Sequence, residues 1–154
     1  SFTAKRGETT AFIGATGAGK STLVNLVPRF YDATAGAVRL NGVDVRDMEQ
    51  AALRAQIGYV PQKGVLFSGT IASNIRYGRE DADDKAVLEA LDCAQASEFV
   101  SELPDGAENP ITQGGTNVSG GQKQRLSIAR AIAKKPEIFI FDDSFSALDF
   151  KTDS

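Results

Sequence analysis

The sequence predicts an α/β fold with a mainly parallel sheet and a helical segment inserted before the last strand. Short apolar runs alternate along the chain with segments of helical periodicity, as in folds that cover a sheet with helices. The last run, Ile138–Phe141, is unbroken, which is typical of a central parallel strand buried on both faces. Most of the helical pattern lies between the third apolar run and this last one.

The elements follow in order from periodicity and from turn residues. Strands are predicted at 9–13, 37–40, 57–60 and 138–141, and helices at about 20–30, 48–53, 70–96 and 119–133. Asn41-Gly42 predicts a turn, and 103–117, which is rich in proline and glycine, predicts a loop. Within the long helical stretch, one buried stripe is expected, formed by Val87, Leu88, Leu91 and Ala94.

Composition excludes several classes of protein. The chain has 154 residues, 42% of them apolar, and a net charge of −3, so a nucleic-acid surface, which would need positive charge, is not expected. Cys93 is the single cysteine and cannot form an internal disulfide, which favours a reducing compartment; we expect it to be buried. No apolar run reaches the roughly 20 residues that cross a bilayer. A membrane function would therefore come through a partner or another part of the polypeptide.

A glycine-rich loop carries the first chemical signal. Residues 14–21, GATGAGKS, fit the pattern G-x-x-x-x-G-K-[ST] and lie between a predicted strand and a predicted helix. Small residues let backbone N–H groups approach phosphate oxygens, while Lys20 reaches the β- and γ-phosphates and Ser21 ligates Mg²⁺. The alternative is a glycine-rich turn that matches by chance. The predicted nucleotide-binding residues here are Gly14, Ala15, Thr16, Gly17, Ala18, Gly19, Lys20, Ser21 and Thr22.

An acidic residue follows the last predicted strand. Ligands of open α/β sheets bind beyond the carboxyl ends of the strands, and Asp142 comes directly after Phe141. A phosphate loop also needs a carboxylate in the magnesium shell. Asp142 is therefore a predicted metal ligand, together with Ser21.

A second glycine pair opens the helix predicted at 119–133. Ser119 with Gln122 three residues later is a capping box, which is a purely structural interpretation. That interpretation leaves Gly120 and Gly121 unexplained, because each glycine costs a helix about 1 kcal/mol relative to alanine. Glycines at a helix start suit a second surface that approaches a phosphate closely.

These motifs, in this order, resemble the nucleotide-binding domain of an ABC transporter: the phosphate loop, SGGQ-x-QR at 119–125, and the apolar run into Asp142-Asp143. The resemblance implies a P-loop NTPase core at 1–69 and 135–154, with a helical subdomain at about 70–134. It implies ATP and Mg²⁺ as cofactors and a head-to-tail dimer. In that dimer, residues Ser119, Gly120, Gly121 and Gln122 bind the nucleotide held by the partner domain.

The resemblance also assigns two loops and a contact surface. Gln62, in YVPQKG, corresponds to the glutamine that ligates Mg²⁺ or lies near the attacking water and senses the transmembrane domain, and 146–149 correspond to the D-loop. Residues 65–78 are similar to the segment found in exporters that fuse a transmembrane domain to each ATPase. The implied partners are transmembrane coupling helices, and the implied location is the cytoplasmic face of a membrane.

The chain departs from the family pattern at several positions. It has no histidine and no counterpart of the aromatic residue that stacks on adenine, so we expect an excised piece of a longer membrane protein. Asp143 stands where active members have the glutamate that polarises water, and Gln113 stands where exporters often have glutamate. A carboxylate retracted by more than about 1 Å can cost about 100-fold in rate. We therefore expect a heterodimer in which this chain's own site is slow and its SGGQ segment completes the partner's active site.

Two other functions are compatible with the sequence to different degrees. A nucleotide-dependent dimerisation switch that scarcely hydrolyses ATP is compatible with Asp143. An ABC ATPase of DNA repair or translation fits less well, because the chain is acidic overall and lacks an inserted coiled coil. A kinase or GTPase would leave SGGQ unexplained.

Overall fold

The computed structural model describes residues 1–144 and divides into two compact units, Ser1–Asp47 and a second unit that begins at Met48. The D-loop predicted at 146–149 lies outside the described residues. The division into a core at 1–69 and 135–154 and a helical subdomain at about 70–134 stays a prediction.

The first unit contains helix α1 (Lys20–Asn25), strands β1 (Arg39–Leu40) and β2 (Val43–Asp44), and a 3-10 turn (Val45–Asp47). β1 and β2 pair antiparallel, with Leu40 opposite Val43. The two residues that join them, Asn41 and Gly42, have φ of 51° and 84°. Two consecutive left-handed residues are what a tight two-residue hairpin turn requires, so the predicted turn is confirmed.

Two predictions in this unit are wrong. Residues 9–13 form no strand, and Ile13 is 97% exposed. Extended backbone becomes a strand only where a neighbour supplies its hydrogen bonds, and no pairing among residues 1–144 includes this segment. The helix predicted to reach residue 30 ends at Asn25, because Pro28 lacks an N–H group and disfavours helical geometry at Val27.

A charge pair stabilises the end of the hairpin. The guanidinium of Arg46 donates to both carboxylate oxygens of Asp44, at 2.7 and 3.1 Å, and the backbone N–H of Arg46 donates to Oδ1 at 3.0 Å. These bonds from the Arg46 side chain, and then from its backbone, lower the pKa of Asp44 from 3.8 to about 2. The ionised form of Asp44 is therefore favoured in the folded chain.

We expect Asp44→Asn to reduce the dependence of the free energy of unfolding on pH in the acid range. Because the pKa is depressed on folding, the stabilisation is fully present above pH 3.8 and is lost as the pH falls from 3.8 towards 2. The check is the free energy of unfolding measured by denaturant between pH 2 and 6. Asp47→Asn removes an equal charge nearby and controls for net charge. An unchanged slope in the Asp44 variant would contradict the assignment.

The second unit holds most of the regular structure. Its helices are α2 (Gln50–Ala55), α3 (Ile71–Arg76), α4 (Asp84–Cys93), α5 (Ser97–Ser101) and α6 (Gly120–Ala133), and its strands are β3 (Ile57–Val60), β4 (Gly69–Thr70), β5 (Pro110–Ile111) and β6 (Ile138–Phe141). The predicted loop at 103–117 contains β5 and two 3-10 turns, Gly106–Glu108 and Gln113–Gly115. The strands predicted at 57–60 and 138–141 are present with those bounds, and the helices predicted at 48–53 and 119–133 are present with shifted ends. The helical stretch predicted at 70–96 is divided into α3 and α4.

A parallel strand pair and a helical core organise the unit. β3 and β6 pair in parallel, with Val60 opposite Phe141, and β4 pairs antiparallel with β5. α3, α4 and α6 pack together through buried side chains that include Ile71, Ile75, Leu91, Leu126 and Ala129. An α/β fold with parallel pairing and an inserted helical region is therefore confirmed.

Three burial predictions need correction. Phe139 and Phe141 are 44% and 38% exposed, so β6 is covered only on the face that carries Ile140. Side chains alternate across a strand, and the described residues supply a cover for only one side. Leu88 is 57% exposed because it lies about 100° around α4 from the buried Val87. Cys93, at the last position of α4, is exposed rather than buried.

Among residues 1–144, no helix has both the length and the apolar character needed to cross a membrane.

Candidate functional site

The phosphate-loop sequence forms a tight turn at the start of α1. Gly17 and Gly19 have φ of 83° and 84°, a conformation that favours glycine, and the N–H of Ala18 donates to the carbonyl of Ala15 at 3.1 Å. A Cβ added at Gly14 would lie 3.2 Å from the Cβ of Ala18. The backbone conformation therefore favours glycine at positions 17 and 19, and little room is left for a side chain at position 14.

Lys20 closes the loop in this conformation. Its ammonium donates to the carbonyl of Gly14 at 2.6 Å and to that of Ala15 at 3.0 Å. Gly19 is the N-cap of α1 and offers no side-chain cap. Thr16 is exposed in the loop, and Ser21 and Thr22 are exposed in the first turn of α1. The ammonium group of Lys20 therefore lies beside the small residues of the loop.

In the second unit, the parallel strands bring Asp142 to the end of the sheet. The N–H of Asp142 continues the ladder by donating to the carbonyl of Val60 at 3.0 Å. The hydroxyl of Tyr59 donates to Oδ2 of Asp142 at 3.2 Å. This tyrosine was not among the predicted site residues. Its position in β3, the strand that leads to Gln62, could have marked it as a candidate, although the sequence does not show which residue it contacts.

The two predicted catalytic residues are in contact. The amide nitrogen Nε2 of Gln62 donates to Oδ2 of Asp143 at 3.1 Å, although the residues are 81 positions apart. Asp143 has φ of 49°, a left-handed value that aspartate tolerates better than most residues. With Nε2 engaged, the oxygen of the Gln62 amide is the atom suited to a cation.

Ser144, the next residue, is fully buried and was not predicted as part of the site. Its hydroxyl lies 2.7 Å from the carbonyl of Val60 and 3.3 Å from that of Pro61, and it donates to them. Asp142 and Asp143 are therefore held on one side by the pairing of β6 with β3 and on the other side by the hydrogen bonds of the buried Ser144. No signal in the sequence alone marks this serine.

The predicted second phosphate surface lies at the start of α6. Ser119 is the N-cap: its hydroxyl accepts from the N–H of Gln122 at 3.2 Å, and Oε1 of Gln122 accepts from the N–H of Ser119 at 2.9 Å. A Cβ added at Gly120 would meet nothing within 4 Å. Packing in this chain therefore does not require glycine at 120.

An exposed apolar surface follows the glutamine loop. Val65, Phe67 and Tyr77 are 51%, 44% and 64% exposed, and the rings of Phe67 and Tyr77 lie 4.8 Å apart. We call these three residues the aromatic patch. Beneath it, Asn74 is fully buried and binds both the N–H and the carbonyl of Phe67 at 2.8 Å.

Arg130 of α6 completes the support of the patch. Its guanidinium donates to the carbonyls of Val65 and Asn74 at 3.0 and 2.9 Å, and it lies 5.2 Å from the centre of the Phe67 ring. Burial lowers the pKa of this guanidinium. The patch is therefore exposed but held in place by a buried amide and a partly buried guanidinium.

The predicted magnesium ligands are all oxygen donors: the Ser21 hydroxyl, the Gln62 amide oxygen and the Asp142 carboxylate. Hard cations such as Mg²⁺ take oxygen ligands and keep several from water and phosphate. Within residues 1–144, no three histidine, cysteine, aspartate or glutamate side chains cluster as a metal site. Oxygen donors of these kinds are chemically compatible with Mg²⁺.

The fold and these residues define an α/β protein of the phosphate-loop nucleotide-binding class. The family model described as ABC transporter matches residues 1–146. The chain belongs to the ABC transporter family.

Several relatives are similar to the whole chain. It is 52% identical to an uncharacterised ABC transporter ATP-binding protein of Mycobacterium tuberculosis, covering 100% of this chain and 27% of the relative. It is 49% identical to the uncharacterised ABC transporter ATP-binding protein YfiB of Bacillus subtilis, with the same coverage. A putative multidrug export ATP-binding/permease protein of Staphylococcus aureus is 47% identical over 97% of this chain and 26% of its own length.

A solved structure is also similar. It is described as a bacterial Atm1-family ABC exporter with ATP bound, is 43% identical, and matches with a TM-score of 0.85 over 88% of this chain and 24% of that one. The chain spans about a quarter of the length of the curated relatives it matches.

Proposed function

We propose that this chain is the ATP-binding and hydrolysing part of an exporter, and that it powers transport across a membrane as one half of a head-to-tail dimer. The proposal rests on one observation: a single ABC chain carries both a complete phosphate loop and an intact SGGQ helix start. Each surface can serve a different nucleotide. The proposed domain division is a core at 1–69 and 135–154 with a helical subdomain at about 70–134.

In the proposed site, residues 14–22 hold the ATP phosphates. Backbone N–H groups bind phosphate oxygens, and the ammonium of Lys20 exchanges the carbonyls of Gly14 and Ala15 for the β- and γ-phosphates. Ser21, Gln62 and Asp142 would hold Mg²⁺, which supplies charge neutralisation at the phosphates when bound. The Tyr59 hydroxyl donates to Oδ2 of Asp142 and so orients this carboxylate.

Asp143 is assigned the place of the base beside the attacking water. The hydrogen bond from Gln62 orients one of its oxygens, and a base must be oriented within reach of the proton that it takes. The short side chain of Asp143 supports slow hydrolysis at this chain's own site. For the same reason, a switch that dimerises with ATP and scarcely hydrolyses it is the second candidate function.

Ser119, Gly120, Gly121 and Gln122 are assigned to the γ-phosphate bound by the partner. In the capping box the Ser119 oxygen accepts a hydrogen bond, so its own proton is available to donate to a phosphate oxygen. Gly120 leaves open space where a side chain would keep a phosphate away. We infer a second ABC ATPase domain as partner, and Asp143 favours a different subunit in a heterodimer.

The aromatic patch is the proposed contact for coupling helices of the transmembrane domain. It is apolar, exposed and held by Asn74 and Arg130, which suits a surface that transmits movement. Gln113 stands at another position assigned to that contact in exporters. This assignment places the domain at the cytoplasmic face of a membrane. The net charge of −3 gives no support to a nucleic-acid partner.

Gly120→Ala tests the proposal in the full-length dimer. The added methyl fits the free chain and favours helix by up to about 1 kcal/mol, so folding should be unaffected or improved. We expect ATP-driven closure of the dimer and phosphate release to fall by about tenfold or more, since contact with the partner's phosphate needs close approach. ATP binding to this chain's own phosphate loop should not change.

The matched control is Lys85→Ala, an exposed substitution in the first turn of α4 that lies outside every predicted site. Phosphate release in vesicles and cross-linking of the two domains with and without ATP give the two measurements. Normal closure and normal hydrolysis in Gly120→Ala would remove the support for a second phosphate surface.

A further inference from the structure

A buried amide links the signature helix to the glutamine loop. Gln124 lies on α6, is fully buried, and donates from Nε2 to the carbonyl of Pro61 at 3.0 Å. The orientation of the amide follows from chemistry, because a carbonyl only accepts and therefore must face the nitrogen. The bond is made to the residue directly before Gln62.

The loop also touches α6 through its backbone. A Cβ added at Gly64 would lie 2.7 Å from the carbonyl of Lys123 and 2.9 Å from the nitrogen of Gln124. The carbonyl of Pro61 accepts a second hydrogen bond from Ser144, which follows the two aspartates. The loop that carries Gln62 is therefore fixed from α6 on one side and from the end of β6 on the other.

Packing does not account for a glutamine at position 124. Its Oε1 is buried and has no hydrogen-bond partner among the described residues. A buried polar atom without a partner costs free energy, and an apolar side chain of similar volume would avoid that cost. The benefit of the amide must therefore come from its Nε2 bond to Pro61.

We propose that Gln124 is a positioning residue that holds the Pro61 carbonyl so that Gln62 meets Asp143. The inference deepens the proposed function and rests on it, since Gln62 and Asp143 are assigned there to the magnesium ion and the attacking water. Gln124 is assigned no contact with the magnesium ion or the attacking water, and it acts on them only through the position of the loop. The first residues of α6 form the SGGQ surface. The bond from Gln124 to Pro61 therefore connects the helix that carries this surface directly to the glutamine loop.

The test is Gln124→Leu in a full-length dimer whose partner phosphate loop is inactivated, so that turnover reports this chain's own site, with Ser127→Ala as the matched control. Ser127 is also buried on α6, but its hydroxyl bonds to the carbonyl of Lys123 within the same helix. We expect Gln124→Leu to lower kcat by about tenfold, the lower range for groups that orient metal ligands, with KM for ATP within about twofold of the wild type. The magnesium concentration for half-maximal activity should rise, and Ser127→Ala should change none of these values.

Hydrogen exchange gives a readout that needs no hydrolysis. The amides of Gln62, Lys63 and Gly64 should exchange about tenfold faster in Gln124→Leu and at the wild-type rate in Ser127→Ala. If the wild type hydrolyses no ATP, the proposed function fails, and the exchange result still decides whether Gln124 holds the loop. An unchanged exchange rate, an unchanged kcat or an equal loss in the control would overturn the inference. Should the leucine variant not fold, Gln124→Met fills a similar volume with a more adaptable side chain and gives the same decision.

Discussion

Lys20→Met is expected to weaken ATP binding at this chain's phosphate loop by about 100- to 1000-fold, the range for losing one charged donor from a preorganised phosphate site. Methionine keeps the length and the apolar stem of lysine but removes the ammonium. The variant also loses the bonds to Gly14 and Ala15, which leaves two exposed carbonyls that water can satisfy. Folding should therefore be largely unaffected.

Equilibrium binding of a fluorescent ATP analogue to the full-length dimer provides the measurement for Lys20→Met. Lys5→Met is the control, because Lys5 is an exposed lysine of the same unit and lies outside the loop. In a heterodimer, the partner's own phosphate loop should retain its affinity, so half of the binding capacity should survive. Wild-type affinity at both sites would show that residues 14–22 do not hold the nucleotide.

Asp143→Glu is expected to raise ATP turnover at this chain's own site by about 10- to 100-fold, since a misplacement of about 1 Å at a reacting group has effects of that size. The added methylene moves the carboxylate towards the place of the attacking water. Two local features act on the variant. The left-handed φ of 49° suits aspartate better than glutamate, and the bond from Gln62 must be remade at a new distance.

Single-turnover phosphate release at this chain's site, with the partner's phosphate loop inactivated, provides the measurement for Asp143→Glu. Asp143→Gln has the length of glutamate without its charge and should not accelerate the reaction. A melting curve for each variant separates a loss of folding from a loss of chemistry. Equal turnover in wild type and Asp143→Glu would contradict the view that a short carboxylate slows this site.

Local patterns predicted well those elements whose causes are local. The capping box at Ser119 and Gln122 depends on four consecutive residues only, and both of its hydrogen bonds are present. The turn at Asn41-Gly42 likewise depends on the conformations that these two residues favour. The apolar runs at 57–60 and 138–141 predicted two strands, and both exist as a parallel pair.

The remaining features depend on residues far apart in the sequence. Nothing local indicates that Tyr59 donates to Asp142, or that Ser144 and Gln124 bond to the same carbonyl, because each contact needs the fold to bring distant segments together. Ile13 and Phe139 were predicted to be buried but are exposed, because burial also depends on distant segments. An apolar run predicts a strand but does not state which neighbour will pair with it or cover it. The roles of the predicted site residues in catalysis stay predictions for the experiments above.

The parallel pairing of β3 with β6 also constrains how the chain folds. The bond between Tyr59 and Asp142 joins residues 83 positions apart, and the helices α3 to α6 lie within the loop that it closes. Closing so long a loop costs chain entropy before any strand contact is gained, and topologies of this kind fold slowly. Prior packing of α3, α4 and α6 shortens the effective loop. On ribosomes the carboxylates Asp142 and Asp143 therefore reach their places only after the last strand has emerged.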